Sequence, residues 1–267
     1  MNLPTPPSHR RIAQRVPALH VSSVDKRLHG VHVLHSVSLT VGSGEFVALL
    51  GASGAGKTTL LRCVAGLDAI DSGTIEVAGV PVAALRRRAR RQVAVIFQRF
   101  NLVQRLSALD NVLAGRLGHV NTWRGISRRF ARADRLLALE SLERVGLLDY
   151  AMRRVDTLSG GQQQRVAIAR ALAQQPDLIV ADEPVASLDP GIGAEVLTLL
   201  RRCCGEQGVA VLCSLHQVGW AREFADRVVG LAQGATILDV PVSAFDDSLA
   251  QRLYARTAGL ESSTEQA

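Results

Sequence analysis

The residues best equipped for chemistry are Lys57 and Thr58, at the end of GASGAGKT (51–58), and the adjacent acids Asp182 and Glu183, at the end of DLIVADE (177–183). The first stretch satisfies GxxxxGK[ST]. The apolar run EFVALL (45–50) precedes it, and TTLLRCVAG, a helical pattern expected to stop at Gly66, follows it. In such a loop Gly51, Gly54 and Gly56, with Ala52, Ser53 and Ala55 between them, turn main-chain N–H groups toward an anion, and the helix start adds partial positive charge. Lys57 then reaches the outer phosphates of a nucleotide, the Thr58 hydroxyl offers an oxygen to Mg²⁺, and Thr59 completes the binding stretch. The plain alternative is a chance glycine-rich turn, and strand, loop and helix in series argue against it.

The two acids follow a second apolar run. Open α/β sheets bind ligands beyond the carboxyl ends of their strands, and adjacent acids are costly there without a cation. Asp182 is expected to hold Mg²⁺, directly or through water. Glu183 is expected to orient an attacking water and accept its proton, work typically worth about 10²–10⁴-fold in rate. A capping acid pair at a strand exit is the other reading.

A second glycine turn raises a different question. LSGGQ (158–162) opens the alanine-rich pattern QQQRVAIARALAQQ, which ends before Pro176. Ser159, Gly160 and Gly161 offer a hydroxyl and bare N–H groups at a positive helix end, a second anion site by the same physics. One nucleotide has only one terminal phosphate to hold. The economical arrangement is that each LSGGQ closes over the nucleotide bound by another copy, in a two-fold dimer.

The elements that must position these residues can be read from periodicity. Continuous apolar runs at 45–50, 177–183 and 209–215 (VAVLCSL) read as strands covered on both faces, as in a parallel sheet. VHVLHSVSLTV (31–41) and TIEVAG (74–79) alternate instead, the pattern of a small antiparallel sheet covered on one side. Between about Gln98 and Gln175 the chain turns helical, and FARADRLLALESLERV (130–145) is expected to set its leucines on one face. The fold expected is an α/β core interrupted by an α-helical insert.

Composition bounds the rest. The chain has 267 residues, 47% of them hydrophobic, which suits a globular protein. No apolar run approaches the roughly 18 residues of a spanning helix, and MNLPTPPSHRRIAQRVP lacks the apolar segment of a signal peptide, so any membrane role is expected to be peripheral. Cys63, Cys203, Cys204 and Cys213 show no metal-ligand spacing and are expected to be reduced thiols in packing roles. The net charge of +7 points to an anionic partner, but the chain has only two Trp, two Tyr and six Phe, which argues against a single-strand nucleic-acid platform. The densest basic run, LRRRARR (85–91), reads as a solvated helix face or a contact with anionic headgroups. Trp123 and Trp220 are expected to pack.

Taken together, GASGAGKTT, the glutamine of IFQ (Gln98), LSGGQ, LIVADE, SLD (187–189) and His216 resemble an ATP-binding cassette (ABC) ATPase, over about residues 18–255 and in the family's order. The resemblance implies a P-loop NTPase (RecA-like) core with an antiparallel β subdomain and an α-helical insert. A tail at 1–17 would precede an ATPase domain at 18–260, with 18–97 and 176–260 as core and antiparallel β, 98–175 as insert, and a second tail at 261–267. It implies ATP and Mg²⁺ as ligands, with Gln98 sensing metal and water beside Thr58 and Asp182. Leu158, Ser159, Gly160, Gly161 and Gln162 would contact ATP across the dimer, and Ser187, Leu188 and Asp189 would form the loop crossing that interface. His216 would contact the γ-phosphate and hold Glu183 in line. Leu28 or His29 stands where the family sets an aromatic against adenine.

Finer stretches, FNLVQRLSALDNVLAGRLGHVNTWRG (100–125), ADEPVASLDP (181–190) and SLHQV (214–218), resemble the ATPase subunit of phosphonate importers. That implies a second copy, membrane permease subunits and, indirectly, a periplasmic solute-binding protein as partners, at the cytoplasmic face of the inner membrane, with no nucleic acid. Arg99 departs from close relatives, which often have a second glutamine there. The rival readings are an ATPase of another transporter or of a soluble phosphonate-degrading complex, and a nucleic-acid-linked cassette ATPase. The last usually carries a long coiled coil between the phosphate loop and LSGGQ, or two tandem cassettes, whereas about a hundred residues separate the two motifs here and one cassette is expected.

Overall fold

The computed structural model describes residues 16–84, 91–98, 100–120 and 130–264. The first fifteen residues, residues 85–90 of the basic run, Arg99, residues 121–129 with Trp123 and the rest of NTWRG, and the last three residues lie outside the described residues.

A six-stranded sheet forms the centre, in the order β10-β9-β3-β8-β7-β6. Its strands are β3 (Phe46–Leu50), β6 (Val93–Ile96), β7 (Leu178–Asp182), β8 (Ala210–Ser214), β9 (Arg227–Ala232) and β10 (Ala235–Pro241). Neighbours from β9 to β6 run parallel, and β10 adds an antiparallel edge. The three continuous apolar runs became β3, β7 and β8, side by side at the middle of the sheet. All five residues of β3 and of β8 are buried.

Side-chain alternation splits β3 between two cores. Phe46, Ala48 and Leu50 join the core under the helices. Val47 and Leu49 join a second core, shared with Leu60, Leu61 and Val64 of α1 (Lys57–Val64) and with an antiparallel sheet. α1 therefore lies between two sheets, which fixes the orientation of its N-terminus. It ends at Val64, and Gly66 takes φ +65°, as the sequence indicated.

The antiparallel sheet has the order β2-β1-β4-β5. The alternating stretches became β2 (Val31–Val41) and β4 (Ser72–Val77), but they do not pair with each other. β1 (Leu19–Leu28), which sequence periodicity did not reveal, stands between them and pairs with both. Its register shifts near Val24, where Ser23 has φ +46°, and such bulges erase a strict two-residue period. β5 is Val80–Pro81.

The helices are α2 (Ala108–Ala114), α3 (Arg132–Arg144), α4 (Gly160–Ala173), α5 (Pro190–Gln207), α6 (Val218–Phe224) and α7 (Asp247–Thr264). In α3 the leucines do not share one buried face. Leu142 is buried, but Leu136 is 49% exposed, and Asp134, Ala138 and Ser141 take the inner positions. Asp134 is buried because the Arg116 Nε donates to it at 2.8 Å, and Arg116 also donates to the Ala173 carbonyl at 3.0 Å. That ion pair ties α3 to the end of α4. No described helix is long and apolar enough to cross a membrane.

Candidate nucleotide site

The loop 51–58 leaves the carboxyl end of β3, and its glycines are fixed by what lies behind them. Gly51 has φ +150°, and a Cβ there would sit 2.3 Å from the Leu231 carbonyl oxygen. Gly56 has φ +98°, with Leu34 Cδ2 at 2.9 Å from a would-be Cβ. No alanine fits either place without shifting backbone or core. Gly234, at the turn between β9 and β10, donates its N–H to the Ala55 carbonyl at 3.1 Å. The loop is braced from two sides.

Lys57 is 5% exposed, and its ammonium donates to the carbonyls of Gly51 at 2.7 Å and Ala52 at 3.0 Å. Burial lowers its pKa, and the charges of Glu183 and Asp182 oppose that shift. The lysine is thereby curled inside the loop, its ammonium turned onto the loop's own carbonyls.

Both acids stand at the end of β7. Thr58 Oγ1 donates to Asp182 Oδ1 at 3.3 Å, so the phosphate loop and the acid already meet. Ser214, buried at the end of β8, donates to the same Oδ1 at 2.8 Å and accepts the Glu183 N–H at 2.9 Å. One hydroxyl thus ties the Asp182 carboxylate to the Glu183 main chain. Glu183 has φ +49°, a left-handed conformation that costs a non-glycine residue about 1–2 kcal/mol. The turn aims its side chain at His216, whose Nε2 lies 2.5 Å from Glu183 Oε1. Glu183 is 17% exposed and His216 48%, so the pair faces solvent from its imidazole side.

Gln98 is exposed, two residues past β6, whose Ile96 lies level with Ala181 of β7. The loop that follows it is gripped by Arg170 of α4, which donates to the carbonyls of Asn101 at 2.6 Å and Phe100 at 3.1 Å. Leu28 ends β1, half-buried, and His29 sits in the hairpin turn with φ +50°. The part of that hairpin lying against the phosphate loop is Val33 and Leu34.

LSGGQ is built differently. Ser159 caps α4, accepting the Gln162 N–H at 3.3 Å while its own N–H donates to Gln162 Oε1 at 3.0 Å. Leu158 is buried. A Cβ on Gly161 would meet Ile192 Cγ2 at 2.5 Å, whereas one on Gly160 would meet only Leu188 Cδ2 at 3.8 Å. Leu188 and the exposed Ser187 precede Asp189, which caps α5 ahead of Pro190. Within one chain, then, 158–162 lies beside 187–189. Among the described residues no hydrogen bond joins it to 51–58.

The cysteines are buried. Burial raises the thiols of Cys63 and Cys203 to about 11 and that of Cys204 to about 12, so they stay protonated. Trp220 stacks at a tilt on Phe224, 5.8 Å between centroids. Sequence reasoning missed Ser214, Gly234 and Tyr254, whose hydroxyl donates to the His216 carbonyl at 3.2 Å. A serine ending an apolar strand beside the acids was the available signal for the first.

A parallel sheet with a lysine-bearing glycine loop and acids at its strand ends defines a nucleoside-triphosphate-binding α/β protein. Residues 34–186 match the ABC transporter family. The chain is 49% identical over 246 residues to the hypophosphite import ATP-binding protein of Stutzerimonas stutzeri, covering 91% of this chain and 72% of that protein. It is 48% identical over 228 residues to a phosphonates import ATP-binding protein of Nostoc sp., covering 84% and 87%. Among solved structures, a dimeric ATP-binding cassette in a post-hydrolysis state bound to ADP and Pi superposes with a TM-score of 0.73 at 32% identity, covering 85% of this chain and all of that one. The chain belongs to the ABC transporter family, as one of its ATP-binding, ATP-hydrolysing subunits.

Proposed function

We propose that this chain powers an importer of phosphonate or a related phosphorus oxyanion, hydrolysing ATP at the site built by 51–58, Asp182, Glu183 and His216. The observation that carries the hydrolytic roles is the 2.5 Å contact of His216 with Glu183, beside the Thr58–Asp182 contact at the lip of the phosphate loop. The substrate class rests on relatives whose names are phosphonates, hypophosphite and phosphite import ATP-binding proteins.

ATP seats its phosphates on the loop amides, and Lys57 leaves the Gly51 and Ala52 carbonyls to pair with the outer phosphates. Glu183 takes the proton of a water as that water's oxygen bonds to the γ-phosphorus. The bond to the β–γ bridging oxygen breaks, giving ADP and phosphate. His216 holds the carboxylate in line through its Nε2. The all-oxygen set of Thr58 and Asp182 fits a hard cation such as Mg²⁺, which takes one or two carboxylates and completes its shell with phosphates and water. There it would neutralise developing phosphate charge. Gln98, just beyond the strand beside the acids, would join it.

The sites of two copies complete each other. Residues 158–162 of one chain face the phosphates held by the second, and the 187–189 loops cross between them. Closure and reopening of this dimer drive permease subunits at the cytoplasmic face of the inner membrane, which receive the anion from a periplasmic binding protein.

Replacing Glu183 with Gln tests the chemistry. ATP binding by the Gln variant is expected within about twofold of wild type, and turnover is expected to fall by at least about 10². Wild-type-like hydrolysis would remove Glu183 from the mechanism. Stimulation of the reconstituted ATPase by phosphonate, but not by sulfate, tests the cargo.

A further inference from the structure

Tyr254 lies half-buried on α7, far along the chain from every motif that carries the nucleotide chemistry. Its hydroxyl donates to the main-chain carbonyl of His216 at 3.2 Å. The strand register explains why this contact matters. β3 and β8 run parallel with Leu49 level with Ser214, and Leu215 N donates to the Leu49 carbonyl at 3.2 Å. Two residues past that pair on the two strands come Gly51, which opens the phosphate loop, and His216. There the sheet gives way to two separate loops. The phenol oxygen sits at that parting, bonded to the His216 carbonyl. Burial raises the phenol's pKa and the Gly51 amide works against the rise, so the hydroxyl keeps its proton at neutral pH and can donate it to the carbonyl.

A hydroxyl in a half-buried packing site often only satisfies itself. Here its partner is His216, in the loop that leaves β8 beside the start of the phosphate loop. The His216 carbonyl and imidazole share one residue, and that imidazole lies on Glu183. We propose that Tyr254 is a positioning residue for ATP hydrolysis, its hydroxyl pinning the His216 main chain to the mouth of the phosphate loop so that the imidazole stays on Glu183. This makes the C-terminal helix part of the hydrolytic site, although Tyr254 touches no reacting atom.

The proposal rests on the reading of Glu183 and His216 as the hydrolytic pair, so the test includes His216→Ala. Steady-state and single-turnover ATPase rates, the KM for ATP and the Tm are measured for Tyr254→Phe, His216→Ala and the double variant. Loss of one neutral hydrogen bond predicts a fall in kcat of about threefold to tenfold for Tyr254→Phe, with KM within about twofold and Tm within about 2 °C. In the His216→Ala background the same substitution is expected to change kcat by less than about 1.5-fold, because the pinned group is gone. Wild-type kcat in Tyr254→Phe, or an equal loss in both backgrounds, would overturn the proposal. Wild-type turnover in His216→Ala would instead overturn the assignment of the pair itself.

Discussion

The two glycine turns that open helices in this chain are held in opposite ways. The turn at 51–58 is braced from outside itself, by the Leu231 carbonyl behind Gly51, Leu34 behind Gly56 and the Gly234 amide on Ala55. Its cation is folded inward onto its own carbonyls. The turn at 158–162 is held by its own Ser159 and Gln162, and only Gly161 is pressed from behind, by Ile192. The first is therefore a phosphate loop whose shape one chain completes. The second has a supported back and an open front, which suits the proposed contact with a second copy.

This difference predicts substitutions that fail in different ways. The largest effect is expected from Lys57→Ala, which removes the charged donor from the completed site. kcat/KM for ATP should fall by about 10²–10³ or more. The loss should be the same at every protein concentration and visible as lost binding by an isolated chain. Retained ATP affinity would mean that the inward-folded lysine never exchanges its carbonyls for phosphate.

A smaller loss, of another kind, is expected from Ser159→Arg. Nucleotide titration at low protein concentration should match wild type, while turnover should fall about 10²-fold and fail to recover as protein concentration rises. The lost helix cap costs about 1 kcal/mol, which a thermal melt would register separately. If isolated chains bind ATP more weakly in this variant, the second turn belongs to the same site as the first and the contrast between them collapses.

How much of this was legible beforehand follows from the range over which each feature is encoded. GASGAGKT carries its own geometry, because its glycines, lysine and threonine act through a local strand–loop–helix path. β3, β7 and β8 were legible because strands covered on both faces need unbroken apolar runs. β1 was not, since the bulge at Ser23 breaks its alternation. α3 misled because its inner face mixes Leu142 with Asp134, Ala138 and Ser141 while Leu136 faces outward, and the aspartate is tolerated there through Arg116, eighteen residues away. Tyr254 was invisible for a similar reason, since its partner lies 38 residues away in sequence, and Ser214, 32 residues from Asp182, was marked only by its place at the end of an apolar strand.

The finest division lies within the second turn, between Gly160 and Gly161. If the turn is only a helix cap packed on α5, then Gly161 is the glycine that matters, since a methyl there would stand 2.5 Å from Ile192 Cγ2 on a branched, stiff side chain. Gly161→Ala is accordingly expected to cost about 1–3 kcal/mol of stability, and Ile192→Ala in the same chain should recover most of it. Gly160 meets nothing closer than 3.8 Å, so Gly160→Ala should leave stability within about 0.5 kcal/mol. In the proposed dimer a methyl on the open front would stand where the second copy's nucleotide phosphates approach, and turnover is expected to fall about tenfold while the melting curve stays put. Denaturant unfolding and ATPase assays on the two alanine variants separate these outcomes. Should Gly160→Ala prove silent in both, the open front of the second turn has no visitor, and its helix start serves the fold alone.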